Sequence, residues 1–299
     1  MTFEELLAPW DIERFWSEAW ERSTLHISGR SERHYDILLS KQEVEDLLFG
    51  PGNPAQQELL LCRGAERPVP VSGHSGWAAG SASACAASLR ELHRQGYSFL
   101  LPSVGRFLPR LAARLARYED RYKARSIAHL IVSPPNAEGL APHSDPYGVF
   151  ALQIAGTKTW SLHEHSPRER LGMGKDHHHL AGTPASSRVR MTAGDLLYLP
   201  RGTVHAAASG GDGSIHLAIG LMPPSGVDLI SLLSGLAEQD PFFRGYVPYG
   251  IGETPDRLDE YQRLFRSRLA SLVSEADIRT LLDNRRAERA ARGSTGTTG

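Results

Sequence analysis

Pro142-His143-Ser144-Asp145-Pro146-Tyr147-Gly148-Val149-Phe150-Ala151-Leu152-Gln153-Ile154-Ala155-Gly156-Thr157-Lys158-Thr159-Trp160 decides how this chain reads. His143 and Asp145 are separated by one residue, so on an extended segment their side chains leave the same face while Ser144 points away. Beyond them, Val149 to Ala155 and Lys158 to His163 form two β-prone runs with Gly156-Thr157 between them. His205 follows 62 residues after His143 (205 − 143), just past the turn Pro200-Arg201-Gly202. Two imidazoles and one carboxylate, with no sulfur, suit a non-haem Fe(II) better than a structural zinc and leave positions open for a cosubstrate and dioxygen.

Working outward, Ile127 to Val132, Ser187 to Met191, Asp195 to Leu199, Val204 to Ala208 and Ser214 to Met222 also read as strands. With the two runs above they fit a double-sheet jelly roll whose interior can enclose a ligand. The fold class expected is a mainly β core with flanking helices. Ile12, Phe15, Trp16 and Trp20 recur at helical spacing over residues 11 to 22, with Asp11 as a cap, and further helices are expected over Lys41 to Phe49, Ala86 to Gln95 and Phe107 to Tyr118. The Gly- and Ser-rich stretch Val71 to Ala87 reads as a loop, and Arg110, Arg114 and Arg117 as a solvated helix face. After Pro223-Pro224, one apolar face is formed by Leu229, Leu232, Leu233 and Leu236 and another by Leu258, Tyr261, Leu264, Phe265, Leu269 and Leu272. The domains expected are a helical and mixed segment over 1–125, the barrel core over 126–225, a helical dimerisation region over 226–292 and a disordered Gly/Ser/Thr tail over 293–299.

Composition narrows the function. Thirty-three Lys and Arg against 34 Asp and Glu give a net charge of −1, which supplies no global field to hold nucleic acid. Cys62 and Cys85 have no CxxC spacing, so neither a disulfide framework nor a thiolate zinc site is indicated, and both read as reduced packing residues. The amino terminus lacks the basic and apolar regions of a signal peptide, and no run reaches the roughly 18 apolar residues of a membrane span. A soluble, cytoplasmic protein is expected.

The segment Pro134 to Asp145, the run Val149 to Trp160, and Gly194-Asp195-Leu196-Leu197-Tyr198-Leu199-Pro200-Arg201-Gly202 leading to His205 resemble the JmjC cupin proteins of the ribosomal oxygenase type. The likeness extends to Phe15-Trp16, Trp20-Glu21 and Ile37-Leu38-Leu39-Ser40 and covers roughly residues 10 to 240. It implies Fe(II) held by His143, Asp145 and His205, with 2-oxoglutarate as cosubstrate and dioxygen as oxidant. Lys158 then matches the basic residue that pairs with the distal carboxylate of the oxo acid. Physics agrees, because a carboxylate buried in the barrel needs a neutralising partner. His129, Asn136 and His216 are further candidates to hydrogen-bond the cosubstrate or orient a ligand.

What the resemblance implies is an amino-acid side-chain hydroxylase acting on a protein or peptide, homodimeric through its C-terminal helices, with no nucleic-acid or membrane partner. An N-methyl-lysine demethylase and a non-catalytic cupin binding protein are the alternatives. Only 24 residues follow Glu275 (299 − 275), too few for the winged-helix module that ribosomal oxygenases append, so the likeness carries the chemistry and not a ribosomal target. Gly220 falls where some relatives carry a hydroxyl residue for the cosubstrate. Substrate choice is expected in the rim loops Val71 to Ala87 and Leu171 to Ser186. Three other histidine features read as decoys. His34-Tyr35-Asp36 has the HxD spacing without a barrel behind it, Asp176-His177-His178-His179 reads as a solvated loop, and His163 and His165 read as surface residues.

Overall fold

Gly156-Thr157, which reads as a break between two strands, is a bend within one. The computed structural model describes residues 1–64, 66–77, 81–163, 175–176 and 184–277, and in it Gly148–His163 runs as a single strand. Gly156 takes φ 66° and Gly213 opposite it φ 72°. A Cβ on Gly156 would lie 2.2 Å from the Gly213 carbonyl oxygen, so the crossing requires glycine. Val204–Met222 is likewise one strand, with register shifts between Ser209 and Ser214 and between Ile215 and His216.

The described strands are β1 (Leu25–Ile27), β2 (Leu60–Cys62), β3 (Val69–Pro70), β4 (Ser98–Leu101), β5 (Arg125–Ser133), β6 (His143–Ser144), β7 (Gly148–His163), β8 (Lys175–Asp176), β9 (Ser187–Thr192), β10 (Leu196–Leu199) and β11 (Val204–Met222). Their order is β1-β10-β7-β11-β5-β4-β2-β3, with β6 pairing β11 and β8, and β9 pairing β7. The bend lets β7 serve two layers: Val149 to Leu152 pair with β10, and Thr157 to Leu162 with β9. β11 pairs with β7 on both sides of the crossing. This is the expected mainly β core, in jelly-roll form. The N-terminal 125 residues contribute β1 to β4, which periodicity missed because each spans only two to four residues.

Strand alternation explains why β7 is apolar at successive positions. Val149 and Ala151 face the barrel interior with Trp160, Leu162, Met191, Leu197 and Leu199. Phe150 and Tyr198 face the other way, onto an aromatic cluster from the chain's start. There α1 (Phe3–Leu7) begins with a capping box between Thr2 and Glu5, and α2 (Ile12–Arg14) is capped by Asp11. The helix expected to Arg22 instead widens into a π turn over Phe15–Ala19 and stops at Trp20. That turn seats Phe15 5.0 Å from the Tyr198 ring and 6.2 Å from Phe3. The Tyr198 hydroxyl accepts from the Glu21 backbone N–H at 3.0 Å, fixing the segment to β10.

Three longer helices precede β5 or interleave with the short strands: α3 (Lys41–Phe49), α4 (Ala82–Arg94) and α5 (Pro109–Tyr122). Ser81 caps α4 four residues earlier than the periodicity suggests, within the stretch read as a loop. Cα clustering separates Met1–Glu119 with Ser126–Met222 from Asp120–Arg125 with Pro223–Gly299. In the second unit, α6 (Gly226–Ala237) opens on a Ser225–Asp228 capping box, followed by α7 (Pro241–Arg244) and α8 (Pro255–Glu275). Phe242 stacks on Tyr261 at 5.6 Å, and Phe243 meets Phe265 edge-on at 5.5 Å. The expected tail 293–299 lies outside the described residues, as do His165, Met173, His177 to His179 and Ile278 onward.

Phe15 is fully buried at the centre of the aromatic cluster. Phe15→Ala is expected to cost about 3–5 kcal/mol, as other buried Phe truncations do. Chemical denaturation checks this, and a cost below about 1 kcal/mol would mean that the N-terminal segment is not part of the barrel's core.

Candidate metal centre

β6 brings His143 directly opposite His205 of β11. Their ring centroids are 4.4 Å apart, and Asp145 Oδ2 is 3.7 Å from His205 Nε2. One ligand atom from each of the three lies within 4.8 Å of the others, the one such gathering of three among the described residues. The turn is tied down from both sides: the Gly202 N–H donates to the Asp145 carbonyl at 2.9 Å, with Gly202 at φ 74°.

The two imidazoles share a local device. His143 Nδ1 lies 2.8 Å from the Ala141 carbonyl and His205 Nδ1 lies 2.9 Å from the Thr203 carbonyl. A carbonyl only accepts, so both Nδ1 atoms carry a proton, which leaves Nε2 as the atom of each ring that can ligate a metal. Burial, then the neighbouring His143, hold the His205 pKa down to about 4 against the opposing pull of Asp145. His205 is therefore neutral at pH 7. Two imidazoles held by backbone carbonyls beside a carboxylate are a donor set that fits a divalent iron.

A cavity of about 250 Å³ runs inward from the triad. His143 and Asp145 at its mouth are half-buried, whereas Lys158 deep inside is only 3% exposed. The Lys158 ammonium donates to Ser133 Oγ at 3.3 Å and meets no carboxylate among the described residues. Burial pushes its pKa down to about 8. His129 and His216 also line the cavity, each with an Nδ1 that is buried and without a hydrogen-bond partner. Burial lowers both pKa values, and for His216 the nearby Lys158 charge adds to it. Trp160 packs between His205 and His216, at 5.5 and 5.4 Å.

Asn136 is not brought to this cavity. It occupies a left-handed turn at φ 53°, where its N–H donates to Gly210, which corrects its assignment to the cosubstrate. Gln153 is buried outside the cavity lining, its Nε2 donating to the Ala155 carbonyl and Ser214 Oγ while its Oε1 has no hydrogen-bond partner. The decoy pair separates as well: Asp36 binds Arg33 at 2.7 Å, and His34 stands against Tyr35. Sequence reasoning missed Tyr147, Ser133, Ser98 and Cys62, all of which line the cavity. Tyr147 was within reach, because it lies only two residues past Asp145. Its ring fills the space at Gly220, where a Cβ would come within 2.6 Å of it.

The comparisons with known proteins agree with this geometry. A family model described as the JmjC domain matches residues 104–229. Ribosomal oxygenase 1 of Rattus norvegicus is 30% identical over 234 residues, covering 73% of this chain and 36% of the relative. The bifunctional lysine-specific demethylase and histidyl-hydroxylase NO66 of Drosophila mojavensis is 26% identical over 208 residues, covering 68% of this chain and 23% of the relative. The chain thus spans about a third or less of these relatives' length. Among solved structures, the ribosomal oxygenase YcfD of Escherichia coli in complex with cobalt and 2-oxoglutarate shares the fold, with TM-score 0.53, 16% identity, and 87% of this chain and 67% of that one covered.

Burial lowers the folded-state pKa of His93, His129 and His216 below the usual 6.5. Below that value the unfolded chain binds more protons than the native one, so the stability present above about pH 6.5 is lost as pH falls. The thermal midpoint of the metal-free protein is expected to drop between about pH 7.5 and 5.5. A midpoint that holds or rises over that interval would show these imidazoles are protonated in the fold.

Proposed function

Because the chain belongs to the JmjC-domain family, with ribosomal oxygenases among its relatives, we propose that it is an Fe(II)- and 2-oxoglutarate-dependent oxygenase hydroxylating an amino-acid side chain in a protein or peptide. The observation that carries this reading is the pairing of a two-imidazole, one-carboxylate triad at a cavity mouth with a buried ammonium lacking a carboxylate inside it. Such an ammonium fits an acidic ligand that enters the same cavity.

His143 and His205 would hold the metal through Nε2, their tautomers set by the Ala141 and Thr203 carbonyls. Asp145 would supply the third donor and one negative charge. Iron, when bound there, supplies the activation of dioxygen that couples decarboxylation of the oxo acid to hydroxylation of a substrate carbon. Lys158 would neutralise the distal carboxylate of 2-oxoglutarate, and the neutral His129 and His216 would orient it by hydrogen bonds. Leu100, Ile131, Val149, Trp160 and Ala218 line the cavity with apolar surface that excludes water. No general base is required.

The relative named as a bifunctional demethylase and histidyl-hydroxylase supports a second reading, demethylation of N-methyl-lysine, by the same centre. Mass spectrometry of treated peptides separates the two, as a gain of oxygen or a loss of methyl. Two buried cysteines, neither in a disulfide, suit a reducing compartment and support a cytoplasmic location. No helix among the described residues is long and apolar enough to cross a membrane.

Incubation with Fe(II), 2-oxoglutarate and air is expected to yield succinate, and His143→Ala and Asp145→Ala to abolish it. Truncating one member of a buried charge pair costs about 2–5 kcal/mol, so Lys158→Ala is expected to raise the 2-oxoglutarate requirement at least about thirtyfold. An unchanged requirement would remove Lys158 from the site. The helical unit leaves Val227, Ile230, Leu264, Phe265, Leu269 and Val273 exposed, which supports homodimerisation through it. Sedimentation is expected to give a dimer that Phe265→Glu dissociates, and a monomeric wild type would rule out that role.

A further inference from the structure

The turn between β10 and β11 touches both sides of the metal centre. The Thr203 N–H donates to the Pro200 carbonyl at 3.1 Å, and Gly202 takes φ 74°, the sign of the third position in a type II turn. Two of its peptide groups reach the candidate ligands. The Gly202 N–H donates to the Asp145 carbonyl at 2.9 Å, and the Thr203 carbonyl receives His205 Nδ1 at 2.9 Å. A small rotation of the turn therefore moves Asp145 and His205 against each other.

The turn's own side chains do little to prevent that rotation. Pro200 and Gly202 carry no polar side-chain atom, and Thr203 Oγ1 is buried without a hydrogen-bond partner. Among the described residues, Arg201 is left as the polar side chain that ties the turn to another element. Its Nε and Nη2 lie 3.2 and 3.0 Å from Glu21 Oε2, across 180 residues of chain. Glu21 is itself held in place. Its N–H donates to the Tyr198 hydroxyl at 3.0 Å, and the preceding Trp20 stacks on the Tyr198 ring at 5.7 Å. Glu21 also takes φ 55°, a left-handed backbone that is uncommon outside glycine and persists where the surroundings impose it.

Resting on the metal-centre reading above, we propose that Glu21 and Arg201 are positioning residues, whose ion pair locks the turn so that Asp145 and His205 meet one metal ion. Neither side chain lines the cavity, so the pair acts through the turn. The N-terminal segment then supports the site as well as the core.

The test is calorimetric titration with Co(II) of the wild type, Glu21→Gln, Arg201→Gln and the double variant, alongside their metal-free thermal midpoints. Each single variant is expected to bind Co(II) about tenfold more weakly, the lower end of the loss when groups that orient metal ligands are removed. Because both side chains are about a third exposed, the metal-free midpoint is expected to move by less than about 4 °C. The double variant is expected to lose no more than either single one, since all three lack the same bond. If Glu21→Gln does not fold, Arg201→Lys, which keeps the charge and loses the fork, is read instead and is expected to weaken Co(II) about threefold. Co(II) affinity unmoved in the folded variants, or single losses that multiply in the double variant, overturns this inference alone. No Co(II) binding by the wild type overturns it together with the metal-centre reading.

Discussion

Everything at the centre of this molecule depends on β7 and β11 staying paired through their shared bend. The approach of Gly156 to the Gly213 carbonyl leaves no room for a side chain, and it lets two long strands turn together without separating. On one side of the crossing β7 carries Lys158 and Trp160, while β11 carries His205 opposite Leu162 and the β6 residue His143. On the other side β11 carries His216, and β7 carries Val149 and Ala151. A break at the bend would part Lys158 and the triad from His216 and Val149, which line the same cavity. Paired, they face one cavity.

That cavity is an electrostatic arrangement as much as a shape. Burying an ammonium without a carboxylate is costly, and here a single hydroxyl offsets part of that cost. The surrounding imidazoles are held neutral, so they do not add to the positive charge. At the mouth Asp145 supplies the opposite sign, half-buried and open to solvent. The gradient runs from a donor set suited to a cation to a wall suited to an anion. A bifunctional acid that chelates a metal at one end and presents a carboxylate at the other fits both.

The site was legible in the sequence as far as local geometry reaches. His143 and Asp145 share a face through period-two alternation, and Lys158 and Trp160 do so further along the same strand. The Lys158 assignment, however, needed a family resemblance as well as alternation. Cys62, Ser98 and Ser133 were not legible, because they meet only through the pairing of three strands far apart in sequence, two of them three or four residues long. Asn136 was misplaced for a related reason. Its proximity in sequence to the metal motif says nothing about the left-handed turn that carries it away. Glycine also misled at Gly156, where a residue that commonly ends a strand instead permits one to bend.

The central claim is that the triad and the inner wall bind one ligand between them. It is tested most directly by anaerobic addition of 2-oxoglutarate to the Fe(II)-loaded protein, followed by visible absorption. The account predicts a charge-transfer band that needs both iron and the oxo acid and is absent when His205 is replaced by Ala. A folded wild-type protein that binds Fe(II) but develops no band at saturating 2-oxoglutarate would contradict it.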